Sequence, residues 1–251
     1  MWKSGRRSGK GSNTAGAGPR LAGMGDSQLT LLYTANIAGR LDSLPRLFSH
    51  IQKIRAEVKG PVSLLDLGGT CDPSVWECAV TADRAVLFVL DAMGYDVACL
   101  TGMDCARMDS NARHKLIERT TTALCGLTPA VDFPSHAAWK VGTFHLVCSA
   151  EAANTAAGGV DLTVSPGHDG SPVELVPEER RLYLPVPDDN TLGIAIVTFD
   201  GKRIPSSVKC QFEPVPASTR PDATVAAAVD FVRDEARHYQ RIQQRGAHET
   251  G

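Results

Sequence analysis

Between Leu29 and Asp104 the chain repeats one pattern three times: a short apolar run, a loop of small or polar residues, then a helical pattern. The apolar runs are Leu29–Tyr33, Pro61–Leu65 and Asp96–Leu100. The loops after them are Thr34-Ala-Asn-Ile-Ala-Gly39, Asp66-Leu-Gly-Gly-Thr70 and Thr101-Gly-Met-Asp104. Apolar strands alternating with helices specify a largely parallel sheet. In such sheets ligands bind beyond the carboxyl ends of the strands, where these three loops must converge.

The intervening segments carry helix signals. Ser43-Leu-Pro45 offers a cap and a first-turn proline. Leu44, Leu47, Phe48, Ile51, Ile54 and Val58 then recur on one face. Residues 70–80 show no strong pattern and read as a loop. Thr81 is expected to cap a helix whose Val86, Leu87, Leu90 and Met93 face inward and which ends at Gly94. A further helix from Asp109 or Ser110 turns Leu116, Ile117 and Leu124 inward and runs to Gly126.

Beyond Pro134 the period changes from helical to alternating. Strands are expected at Lys140–Cys148, Asp161–Ser165, Arg181–Val186, Gly193–Phe199 and onward toward Phe212. A short helix is expected at Ala150–Ala157, and Asp200-Gly201 signals a hairpin. Residues 219–245 form a C-terminal helix that starts at Pro221 or Asp222. Its inward residues are Val225, Val229, Val232 and Ala236. Arg233, Arg237, Arg241 and Arg245 read as a solvated face, and residues 246–251 as a tail.

The wording of the loops resembles a known family. LTLLYTANIAGRL, VSLLDLGG and LDAMGYDVACLTGMD are similar to the 5′-nucleotidase branch of the calcineurin-like metallophosphoesterases, and Gly167-His-Asp-Gly170 resembles a later motif of that family. The resemblance implies an α/β fold, a two-sheet αββα sandwich, here shortened and covering residues 28–218. It further implies a crevice where two divalent metals activate water against a phosphate ester. The family's loops read D-x-H, G-D and G-N-H-D/E. At the matching positions this chain has Asn36 and Ala38, Gly69, and Gly102 and Met103 ahead of Asp104. Two dications side by side require bridging anionic ligands. The expectation is therefore a degenerate phosphoesterase-like domain that acts as a binding or interaction module, its vestigial crevice lined by Asn36, Gly68, Gly69, Gly102, Asp104, His168 and Asp169. The alternative is a metal-dependent phosphoric ester hydrolase with a remodelled, mononuclear site. For that site a single Zn would take Cys71, Cys105, Asp104 and His168, a tetrahedral set of soft and borderline donors. Asp66 is expected to pack at a strand end without touching metal. Cys99 and Cys148 are expected in the core, and His50, His114, His238 and His248 in solvent. The chain also ends where the family's nucleoside-binding domain would begin.

Composition narrows the partners. The chain has 251 residues, long enough for one sizeable core, and a formal charge of −2, unlike a general nucleic-acid binder. Residues 1–27 are basic and rich in Gly, Ser and Ala, and read as a disordered tail. They lack the apolar run of a secretory signal. No stretch is apolar enough to span a membrane. Seven cysteines without an export signal suggest reduced thiols and a cytoplasmic protein. The remaining ligand classes are a protein partner or a small anion, the latter at the N–H groups of Gly68, Gly69 and Gly102.

Overall fold

The structure, a computed structural model, describes residues 27–128, 132–150, 159–167 and 170–249. The expected tail at 1–27 lies outside them except for Ser27, as does the expected helix at 150–157 except for Ala150. In chain order the first half contains β1 (Ser27–Thr34), α1 (Leu44–Glu57), β2 (Val62–Asp66), α2 (Trp76–Val80), α3 (Ala85–Ala92), β3 (Val97–Leu100), α4 (Ser110–Arg119) and β4 (Ala123–Gly126). The second half contains β5 (His136–Val141), β6 (Phe144–Ser149), β7 (Leu162–Pro166), β8 (Glu174–Val176), β9 (Arg181–Leu184), β10 (Thr191–Phe199), β11 (Pro205–Pro214) and α5 (Ala223–Glu249).

Two sheets result. The first has the order β11-β10-β1-β2-β3-β4, with β1 to β4 parallel and β10 and β11 antiparallel. The second has the order β5-β6-β7-β9-β8. Their inner faces meet in one apolar layer, with Leu29, Leu31, Tyr33, Leu65, Val97 and Cys99 opposite Phe144, Leu146, Cys148, Leu162, Val164 and Leu182. The other face of the first sheet, with Leu32, Leu64, Ala98 and Ile194, buries the apolar sides of α1, α3 and α5. This is the mixed α/β two-sheet sandwich that the sequence implies. The strands alternate because each face of the first sheet feeds a different core.

Several local expectations are corrected. Ser43 already has helical backbone angles (φ −80°, ψ −27°), and its hydroxyl donates back to Arg40 O at 2.8 Å rather than capping α1. The 70–80 loop contains the short helix α2. The helix from Ser110 ends at Arg119, not at Gly126: Thr120 turns to extended backbone, and the Asp91 carboxylate accepts the N–H and hydroxyl groups of both Thr121 and Thr122. Leu124 therefore sits in a parallel strand beside β3, and Ile117 is exposed. The run 140–148 is two strands, since Gly142 (φ +57°) makes a two-residue turn between Val141 and Phe144. His50 is buried in α1, 3.3 Å from the Glu213 carboxylate, although not aligned for a hydrogen bond. The last helix continues past residue 245 to Glu249. Asp109 and Asp222 do cap, accepting from the N–H groups of Ala112 and Val225. Thr81 instead lies at the C-terminal end of α2, and α3 starts after Arg84 without a side-chain cap, the Thr81 hydroxyl only reaching across the turn to accept from Ala85 N–H. No described helix is long and apolar enough to cross a membrane.

Candidate functional site: the crevice above the parallel strands

The parallel ladder between β1 and β2 continues past the strands into the loops. Leu67 N–H donates to Thr34 O, Asn36 N–H to Gly68 O, Ala38 N–H to Gly69 O and Gly39 N–H to Thr70 O, each at 2.8 Å. The first two loops are thus joined backbone to backbone. That geometry requires left-handed residues: Gly68 (φ +106°) and Gly69 (φ +72°) supply them without a Cβ, while Asn36 (φ 53°) and Ala38 (φ 51°) adopt them at some cost. A side chain at Gly69 has no room, because its Cβ would collide with Asn36 Oδ1. The Asn36 amide therefore lies where a side chain at residue 69 would begin.

The third loop is attached through Asp104. It sits in a single 3-10 turn, Met103–Cys105, and is fully buried. One oxygen accepts from Thr101 N (2.7 Å), Thr101 Oγ1 (2.7 Å) and Gly69 N (3.1 Å). The other accepts from Thr70 Oγ1 (2.9 Å) and Cys71 N (3.1 Å). Both oxygens are occupied by donors from the second and third loops, an arrangement that suits an ionised carboxylate. Beneath it lies Asp66, also fully buried, accepting from Thr34 Oγ1 at 2.7 Å and Gly68 N at 3.0 Å, with Tyr95 Oη 3.0 Å from the same Thr34 hydroxyl. Burial pushes the Asp66 carboxyl up to about 8, against the lowering effect of the Thr34 and Gly68 hydrogen bonds. Asp66 packs at the end of β2, where the sequence places it, with Thr34 and Gly68 as hydrogen-bond partners.

The described members of the set named for a single Zn, Cys71, Cys105 and Asp104, do not offer a ligand group. Cys71 is bonded to Cys78 of α2 in a disulfide, so it offers no thiolate, and the expectation of reduced thiols fails for this pair. Cys105 is buried, with its thiol directed to Thr101 O at 3.2 Å and pushed up to about 11 by burial. His168 and Asp169 lie outside the described residues. Among the described residues, no three His, Cys, Asp or Glu side chains form a group that could hold a metal ion. The anion expectation meets a similar obstacle, because the Gly68 and Gly69 N–H groups donate inward to Asp66 and Asp104. Gly102 and Met103 are exposed beside them, and Met103 makes no polar contribution.

Sequence reasoning missed the groups that close the mouth. Arg40 forms a two-pronged ion pair with Asp189, both contacts at 2.8 Å, and its Nη2 also donates to Asn36 O. This pair ties the first loop to the segment before β10. An open cavity of about 420 Å³ adjoins it, lined by Asn36, Gly170, Val186, Pro187, Asp188 and Asp189. At the far side, Asp83 accepts from Arg107 N at 3.0 Å and Arg107 reaches Pro73 O at 2.9 Å, which binds the loop after β3 to the disulfide segment. The partners of these pairs are 149 and 24 residues apart, so no local motif announces them. The close spacing of Cys71 and Cys78, seven residues apart, was the one readable signal.

This architecture, with its crevice above three parallel strands, is the fold of the calcineurin-like phosphoesterases and 5′-nucleotidases. The calcineurin-like phosphoesterase YfkN of Bacillus subtilis superposes with a TM-score of 0.62 at 11% identity, over 86% of this chain and 99% of that one. A 5′-nucleotidase precursor of Thermus thermophilus gives 0.63 at 14% identity, over 87% of this chain and 59% of that one. The sulfate thiohydrolase SoxB of Thermus thermophilus gives 0.59 at 13%, over 81% and 60%. This chain therefore spans about three-fifths of the latter two. No family model and no curated protein matches the sequence.

Proposed function

We propose that this chain is a degenerate phosphoesterase-like domain, lacking phosphatase activity, whose crevice is built for cohesion and whose role is that of a binding or interaction module. The observation that carries this reading is the hydrogen bonding of Asp104. A metal ligand needs lone pairs directed at a vacant point, whereas both oxygens of Asp104 are taken up by five donors on the neighbouring loops. The other loop positions support it: Asn36, Ala38, Gly69, Gly102 and Met103 provide no carboxylate and no imidazole. A dinuclear centre requires a bridging anion between cations about 3.5–4 Å apart. These residues do not fit such a pair, and no catalytic step is assigned through it. In this reading Asp104 performs mechanically what a shared metal does elsewhere: it draws separate loops onto one point.

Purified full-length protein, prepared without chelators, tests the reading. It is expected to carry no stoichiometric Zn, Mn or Fe by elemental analysis, and to release no p-nitrophenol from p-nitrophenyl phosphate and no phosphate from nucleoside monophosphates when Mn²⁺ is supplied. Manganese-dependent turnover that disappears in His168→Ala would return the chain to the working hydrolases. Bound Zn that is lost in Cys105→Ser would favour the mononuclear alternative.

A further inference from the structure

β11 is the terminal strand of the first sheet: β10 pairs with one side of it, and among the described residues nothing pairs with the other. It is ten residues long, and its central residues are mostly exposed. The backbone phase follows from the end of the hairpin, where Val215 N–H donates to Asn190 O at 3.0 Å. In an antiparallel pair such bonded positions recur every second residue. Residues 213, 211 and 209 therefore face β10. Val208, Cys210, Phe212 and Pro214 turn their peptide groups outward, and the one proline among them sits where an N–H would have had no partner within the sheet. Phe212 is 47% exposed, with the Tyr33 ring edge-on to it at 6.5 Å between ring centres.

We infer that β11 is a self-association edge, pairing antiparallel with β11 of a second copy about a twofold axis at Gln211. Outward-facing residues can pair only with outward-facing residues, so a twofold axis must pass through a residue of the strand. Centred on Gln211, Lys209 of each copy lies opposite Glu213 of the other, and this charge match is made twice. Centred on Cys210, Lys209 meets Gln211; centred on Phe212, it meets Val215. The Gln211 register alone is charge-complementary. In it Cys210 and Phe212 of the two copies exchange N–H and C=O groups, and Val208 N–H reaches the Pro214 carbonyl. The two Phe212 rings become diagonal neighbours, which covers their exposed faces. Glu213 has the reach for this: its side chain is 41% exposed, and the contact with His50 uses its Oε1. The two six-stranded sheets then join into one. This edge lies on the opposite margin of the sheet from β4, and the inference does not depend on whether the crevice is catalytic.

Pro205, Pro214 and Lys209 would equally serve to blunt an edge against pairing, and the test separates the two roles. Sedimentation velocity of the full-length chain is expected to show a monomer–dimer equilibrium at micromolar concentration. Lys209→Glu alone and Glu213→Lys alone should each weaken it at least tenfold, and the double variant should restore it. Phe212→Pro, which removes an outward N–H and leaves the β10 ladder intact, should abolish the dimer with an unchanged far-ultraviolet circular dichroism spectrum. Gln211→Cys, at the axis, should form a disulfide-linked dimer on mild oxidation well above the background from Cys210, whereas Ser207→Cys should not. A full-length chain that remains monomeric overturns the inference. So does a dimer that cross-links through Ser207→Cys in preference to Gln211→Cys, or one indifferent to both charge reversals.

Discussion

Among the described residues, Asp104 concentrates more hydrogen bonds than any other carboxylate of the loops, and none of those residues forms an ion pair with it. A buried carboxylate is stable there because five donors on two loops replace its hydration. Asp104→Asn turns one acceptor into an NH₂ that faces those donors. The expected loss is about 3 kcal/mol of unfolding free energy, read from urea denaturation. A variant as stable as the parent would mean that the donors are not what holds the loop. Asp66 makes a prediction of opposite sign. Its folded-state carboxyl is raised from 3.8 to about 8, so the folded chain holds a proton that the unfolded chain releases. The stability this proton confers is complete below 3.8 and is lost as the pH climbs to about 8. Asp66→Asn should flatten that decline, leaving the variant more stable than the parent on the alkaline side, in denaturation midpoints measured across the range. At this scale the sequence was partly legible. The absence of carboxylates and imidazoles at Asn36, Ala38 and Gly69 could be read directly. That Asp104 would be saturated by Gly69, Thr70, Cys71 and Thr101 could not, because it depends on where two loops 35 residues apart are brought.

Among the elements, α5 shows how a stripe becomes an attachment. Val225, Val229, Val232 and Ala236 are buried against α1 and α3, as their spacing requires. Arg233, read as part of a solvated face, instead bridges to Glu77 of α2 at 3.1 Å and to Asp42 at 2.9 Å. Val229→Ala should cost about 2 kcal/mol through lost burial. Phe231→Ala, on the 65% exposed face, should change stability by less than about 0.5 kcal/mol. Thermal unfolding of the two variants side by side checks the orientation of the helix. Element identity was readable wherever a single period ran long enough, as in α1, β1, β10 and α5. It failed at 116–126 and 140–148, where a helix and a strand, or two strands, follow each other with continuous apolar spacing. The break after Thr120 is fixed by Asp91, which accepts from Thr121 30 residues on, and only the glycine at 142 marked the second turn.

For the whole molecule, the Cys71–Cys78 bond fastens the second loop to α2, and through Glu77 and Arg233 to the C-terminal helix. A closed loop this short constrains the unfolded chain by about 2 kcal/mol. Cys78→Ser, or prolonged reduction, should lower the unfolding midpoint accordingly, and the parent should show two fewer titratable thiols than its seven cysteines allow when denatured without reductant. Five free cysteines remain, three of them, Cys99, Cys125 and Cys148, gathered between the sheets, with Cys99 and Cys148 sulfurs 3.1 Å apart. The sequence by itself determined the parallel strand–loop–helix repeat, the antiparallel second half and the chemical poverty of the three loops, because periodicity and residue type are local properties. Tertiary structure decided what fills the crevice. The disulfide, the Asp104 hub, the Arg40–Asp189 pair and the unpaired margin of β11 all depend on which distant segments the sheet order makes neighbours, and directed contacts of that kind leave no period in the chain.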